Sequence, residues 1–148
     1  MQDLSRLLNP QSIAVIGGGA WCNSIMSAAR QIGFEGILRP IHPSGKIIAG
    51  IASLSCLEEF TGPIDAAFIG VNRYATLEIV AQLRGLGAGG AICFASGFSE
   101  ASAEDSNGHN LQEKLITAAG DMPILGPNCY GFLNAFDGSG IWPDPVSY

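Results

Sequence analysis

Apolar and polar positions along this chain follow two alternating periods. Residues 12–17 (SIAVIG) form a continuous, β-branched apolar run ending in glycines, the pattern of a strand buried on both faces. Residues 22–32 change to helical spacing, with Ile25, Met26, Ala29 and Ile32 on one face and Gly33 as the stop. A second strand is predicted over 37–42, ended by Pro43-Ser44-Gly45, and a short helix over 55–60, entered at a Ser55 cap. Residues 64–71 (IDAAFIGV) read as a third strand. A helix over 73–86 follows, with Leu77, Val80, Ala81 and Leu83 in register and Gly87 as its stop. Residues 91–95 and 123–125 supply a fourth and fifth strand, separated by a helix over 110–119. Between them, residues 99–108 (SEASAEDSNG) read as a mobile loop whose Glu100, Glu104 and Asp105 face water. Residues 141–148 end without a helix or cap that would finish a domain.

Strand and helix alternating through short connections predict an α/β fold: a Rossmann-like, doubly wound parallel sheet with helices on both faces. A single domain is expected over 1–148, with no internal repeat and no linker.

Composition narrows the function. Of 148 residues, 47% are apolar and 14% charged, and the net charge is −6. Disorder is excluded by that balance. A chain this acidic makes nucleic acid and anionic membranes poor partners. No apolar run approaches the ~20 residues of a membrane span and no signal peptide pattern precedes the first strand, so a cytoplasmic location is expected. Cys22, Cys56, Cys93 and Cys129 are scattered, with no CxxC pair, which favours reduced thiols over a zinc or other metal site. The thin polar surface points to a self-contact, as in a homo-oligomer, or to an adjoining domain.

Ligands of such sheets bind beyond the carboxyl ends of the strands. The residues just after each predicted strand are therefore the candidates: Gly17-Gly18-Gly19, His42-Pro43, Asn72-Arg73, Ser96-Gly97 and Gly126-Pro127-Asn128-Cys129. Glycines before a helix leave amides free for a phosphate. The dinucleotide fingerprint is incomplete, since Gly17 and Gly19 fill its first two places and Cys22 its third. The acid that would hold an NAD ribose is absent after the second strand, which offers Ile41, His42, Pro43 and Ser44. Lys46 and Arg39 lie near instead, suiting an extra phosphate as on NADP or coenzyme A; Lys46 as a plain surface lysine stays open. Neither His42, His109 nor Cys129 has a partner that would make it catalytic, so no catalytic residue is assigned. Trp21 could stack on an adenine or pack beneath the glycine loop.

SIAVIG with its glycines, IGFEGILRPIHPSG, IDAAFIGV, CFASGF and LGPNCYGFLN occur in one order over residues 4–134. This series resembles the N-terminal CoA-binding domain of NDP-forming acyl-CoA synthetases, the superfamily of the succinyl-CoA synthetase α-subunit. The resemblance implies coenzyme A or an acyl-CoA held along the carboxyl edge of the sheet. Gly17, Gly18 and Gly19 would lie at its phosphates, and Pro43 and Lys46 at its nucleotide portion, with Lys46 pairing a phosphate. Val71 and Asn72 match the third loop, Ser96 and Gly97 the fourth, and Asn128 and Cys129 the turn near the thiol; Ala20, Trp21, His42 and Arg73 are further candidates for contact with the ligand. It further implies a second CoA-ligase domain, which carries the phosphorylated histidine, and an ATP-grasp module that handles ATP and magnesium. This chain would then be the first part of a longer synthetase and inactive alone. A standalone CoA-binding regulatory module and an NADP-binding redox domain are the alternatives. The resemblance departs at Trp21-Cys22-Asn23, where small residues are usual, and at Asn72, where proline is usual.

Overall fold

The computed structural model describes residues 1–145; residues 146–148, the end of the predicted capless segment, lie outside the described residues. Five strands make one parallel sheet: β1 (Ser12–Ile16), β2 (Ile37–Ile41), β5 (Ala66–Ile69), β6 (Ala91–Cys93) and β7 (Ile124–Leu125), in the order β2-β1-β5-β6-β7. Between β2 and β5 lies a small hairpin of β3 (Ile47–Ile48) and β4 (Ile51–Ala52). The sheet is doubly wound and Rossmann-like, and its order reverses between β1 and β5.

Alternation along the strands sorts the core into two layers. Ile13 and Val15 of β1 and Phe68 of β5 join Cys22, Ile25, Met26 and Ala29 of α2 (Ala20–Ile32) on one face. Ala14, Ile16, Ala67 and Ile69 join Val80 and Leu83 of α3 (Arg73–Gly85) and Leu111 and Leu115 of α4 (Gly108–Ala119) on the other. All five residues of β1 are buried, so the apolar run has no wet face to show. Asn72 starts α3 by accepting from the amides of Tyr74 and Ala75 at 3.0 and 2.9 Å.

Several expectations need correction. The first long helix begins at Ala20 rather than residue 22, because Gly19 takes the extended cap position directly after the turn. The helix expected over 55–60 is a single 3-10 turn, Leu57–Glu59. Ser55 does not cap it through an accepting oxygen; its N–H and hydroxyl instead donate to the Glu59 carboxylate at 2.8 and 2.7 Å. These bonds hold the Glu59 carboxyl below its ordinary range. The acidic loop over 99–108 is tied down rather than loose. The amide of Gly97 donates to Glu100 at 2.7 Å, and Arg73 pairs with Asp105 at 2.6 Å. Of its three acids, Glu104 alone has no such bond among the described residues.

The pattern gave no warning of α1 (Ser5–Leu8) or of a terminal hairpin of β8 (Phe132–Asn134) and β9 (Ser139–Ile141). The two are stitched together: Asn134 Nδ2 and Ser139 Oγ both donate to the Leu8 carbonyl, at 2.9 and 3.0 Å. Arg6 in α1 reaches the buried Asp65 at 2.8 Å, and Asp65 also accepts from the Gln11 amide.

Candidate functional site

The glycine turn sits where the strand order reverses, clamped between neighbouring strand ends. The amide of Gly17 donates to Ile41 O at 3.1 Å, and that of Gly70 to Ile16 O at 2.8 Å. Gly17 has φ +123°, and a Cβ there would fall 2.4 Å from the Gly70 carbonyl oxygen. At Gly18 a Cβ would meet His42 Cδ2 at 2.5 Å and Lys46 Cε at 2.6 Å. At Gly19 it would meet nothing within 4 Å. The turn is thus pinned by its first residue, roofed at its second and open at its third.

Beyond it, the amides of Cys22 and Asn23 return to Gly19 O at 3.2 and 3.4 Å. Those of Ala20 and Trp21 take no partner among the described residues, at the positive end of a 13-residue helix. Cys22 is buried beneath the turn with Sγ 3.6 Å from Ile16 O, and that burial pushes its thiol up. It fills space a third glycine would leave.

Lys46 Nζ donates to the Gly18 carbonyl, which places its ammonium over the turn. His42 Nδ1 receives the Ser44 amide at 3.2 Å and lies 2.9 Å from Ser44 Oγ, so the neutral ring carries its proton on Nε2. His42 and Pro43, together with Gly17, Gly18, Leu57 and Val71, border a cavity of about 370 Å³ that Cys56 also lines. Arg39 lines a different groove, with Glu59 and Phe60.

A second cavity of about 580 Å³ adjoins the first at Val71 and is lined by Asn72, Arg73, Phe94, Ser96, Asn128 and Tyr130. Two of its candidates already have partners. The Asn72 oxygen caps α3, and Arg73 donates to Gly97 O at 2.6 Å besides its bond to Asp105. That arrangement keeps the Arg73 guanidinium charged, while the Asn107 amide and Arg73 hold the Asp105 carboxyl below its usual range. Asn128 adopts φ +54° and donates its amide to Ala95 O at 2.9 Å. The amide of Cys129 donates to Cys93 O at 3.1 Å, and its sulfur lies 3.8 Å from Gly131 O with no basic side chain bonded to it among the described residues. Cys129 lines neither cavity, and it packs on the α2-side core.

The sequence reading missed an aromatic group around this second cavity. Trp21 lies 5.3 Å from Phe94 and 5.6 Å from Tyr130; Phe94 and Tyr130 are 5.6 Å apart; Trp142 abuts Tyr130 edge-on at 6.5 Å. Trp21 therefore packs beside its aromatic neighbours, not beneath the glycine loop. The available signal was an aromatic residue flanking each loop: Phe94 just before Ser96-Gly97 and Tyr130 just after Asn128-Cys129. His109 is distant from this chemistry in kind, an exposed side chain 3.5 Å from Glu113 on its own helix. Among the described residues no three His, Cys, Asp or Glu side chains come together, and no helix is long and apolar enough to cross a membrane.

A doubly wound sheet with free amides at its switch point and a cation over them defines a domain of the nucleotide-binding, Rossmann-like class. Residues 11–135 match the model of the CoA binding domain family, and the chain belongs to that family. It is similar to a trans-feruloyl-CoA synthase from an unknown prokaryotic organism, at 33% identity over 137 residues, which is 90% of this chain and 19% of that protein. It is also similar to acetate–CoA ligase (ADP-forming) II of Archaeoglobus fulgidus, at 30% identity, covering 92% of this chain and 21% of that one. Among solved structures, it superposes on the dinucleotide-forming acetyl-coenzyme A synthetase 1 of Ca. Korarchaeum cryptofilum, in complex with phosphate and ADP. There the TM-score is 0.86 at 28% identity, over 98% of this chain and 32% of that chain. The chain spans about a fifth of the length of these curated relatives.

Proposed function

We propose that this chain binds coenzyme A or an acyl-CoA along the carboxyl edge of its sheet. It does so as the CoA-binding part of an NDP-forming synthetase that joins a carboxylate to CoA. The observation that carries this reading is the glycine turn, with two unpartnered amides at a helix N-terminus and Lys46 Nζ above them. The donor set suits a phosphorylated ligand. Gly19 leaves open space where a side chain would intrude, and backbone donors act at contact, whereas the net charge of −6 is screened beyond about 8–10 Å. The cavity beside His42, Pro43 and Leu57 offers an apolar wall to the nucleotide portion.

The domain contributes anchoring and aim. Catalysis belongs to the rest of the synthetase: a second CoA-ligase domain with its phosphorylated histidine, and an ATP-grasp module that uses ATP and magnesium. The chain works in the cytoplasm, as part of that assembly or as a homo-oligomer, and serves it as one CoA-binding domain. The relatives' names support this reading, since each of the two describes CoA thioester formation.

Calorimetric titration with CoA, NADP and NAD tests it. Heat is expected with CoA alone; silence at millimolar CoA rejects the proposal, and a response to NADP alone favours the redox alternative. Mixing the chain with ATP, acetate and CoA is expected to form no thioester.

A further inference from the structure

The second cavity carries a more specific reading, which rests on CoA binding at the first. Its walls combine the rings of Phe94 and Tyr130 with the methyls of Val71, and Trp21 completes the aromatic surface. Such rings ordinarily bury most of their area. Here Tyr130, which lines the cavity of about 580 Å³, is 52% exposed, and Trp21, packed against Tyr130 and Phe94, is 43% exposed.

The electrostatics of the cavity select against a charged occupant. Among the described residues its one cationic side chain, Arg73, is already held by Asp105 and by the Gly97 carbonyl, which leaves no unpaired charge in that lining to meet a carboxylate. The polar groups left over are neutral: the Ser96 hydroxyl and the Asn128 side-chain amide, neither hydrogen-bonded among the described residues. A flat, uncharged group with one or two hydrogen-bonding substituents matches that lining. Position points the same way. The cavity meets the nucleotide cavity at Val71, so one ligand can occupy both.

We infer that this cavity seats the acyl end of the thioester, and that the acyl group is planar and aromatic, of the arylacryloyl or aroyl class. Phe94 and Tyr130 stack on it, and Trp21 shields its edge. Tyr130 sets the preference because it is the most exposed of the three and has no framework bond to its hydroxyl among the described residues.

Binding of CoA, acetyl-CoA and cinnamoyl-CoA to the wild-type chain, to Tyr130→Ala and to Tyr130→Phe tests this by calorimetry, with melting curves confirming that each variant is folded. Cinnamoyl-CoA is expected to bind wild type about tenfold more tightly than acetyl-CoA, equivalent to about 1.4 kcal/mol. Tyr130→Ala should erase most of that preference, while Tyr130→Phe keeps it. In a Trp142→Phe chain, whose one tryptophan is Trp21, quenching by cinnamoyl-CoA but not by acetyl-CoA reports the contact. If CoA binds but cinnamoyl-CoA gains nothing over acetyl-CoA, or if the preference survives Tyr130→Ala, the acyl-site assignment is overturned alone. Silence towards all three ligands overturns it together with the CoA reading.

Discussion

Three adjacent glycines should fail in three different ways. Gly19→Val places a side chain in open space, at a backbone φ of −81° that any residue adopts, so the fold should persist. Valine is a poorer helix cap than glycine, at a stability cost of about 1 kcal/mol or less. Binding is another matter, because the new methyls stand in front of the Ala20 and Trp21 amides. Hydrogen bonds to a charged group contribute about 1.5–3 kcal/mol each, so losing one weakens CoA roughly 10- to 150-fold. Gly17→Ala should do the opposite. Its Cβ would lie 2.4 Å from a backbone oxygen at φ +123°, where strain and overpacking together cost about 2–6 kcal/mol. That is a large part of a domain's ~5–15 kcal/mol. Gly18→Ala falls between them, since the atoms in its way are the ends of His42 and Lys46, which can swing aside but then leave the turn. Urea denaturation and calorimetric CoA titration of the three variants separate the effects. A folded Gly19→Val chain that binds CoA like wild type would show that no phosphate sits at this turn.

Lys46→Met should weaken CoA about tenfold and flatten the salt dependence of binding, with little change in melting; wild-type affinity and salt sensitivity would remove Lys46 from the site. Among the thiols, exposed Cys56 should react fastest with a thiol reagent, and saturating CoA should slow it because it lines the nucleotide cavity. Cys93, pushed up to about 12 by burial, and Cys22, raised for the same reason, should react only on unfolding. Rapid labelling of either, or no protection of Cys56, would contradict the packing described. Asp105 titrates below its ordinary value, so its contribution is complete above the unfolded value of about 3.9 and fades as pH falls through the lower folded value. The difference in urea midpoint between wild type and Asp105→Asn should shrink over that acid window; a difference unchanged at low pH would refute the Arg73 pairing.

The centre of the sheet was legible because β1, β5 and β6 are buried along their whole length. A run such as SIAVI, with every residue inside, leaves little else to assign. The glycine turn was legible too, although its fingerprint lacks the third glycine. The small hairpins were not, since two-residue strands such as β3 and β4 are too short to show a period. Charged loop residues misled for a related reason. Arg73 and Asp105 stand 32 positions apart, and no local spacing announces a pair made by tertiary folding. The same limit hid the aromatic group, in which Trp21 comes from the start of α2, Phe94 from just after β6 and Tyr130 from the segment after β7. Lys46 was readable by its distance from the second strand. Asn72 was not readable as a helix cap once it was matched to a loop where proline is usual.

The stitch at Leu8 makes α1 and the β8–β9 hairpin interdependent. Removing residues 1–8 would strip Asn134 and buried Ser139 of a shared acceptor. The loosening would run through β9 to Trp142, and from there to the ring of Tyr130. On the acyl-site proposal such a deletion would blur the discrimination among thioesters, and it would also open the α2-side core, because it takes with it buried Leu7 and the Arg6 pairing to Asp65.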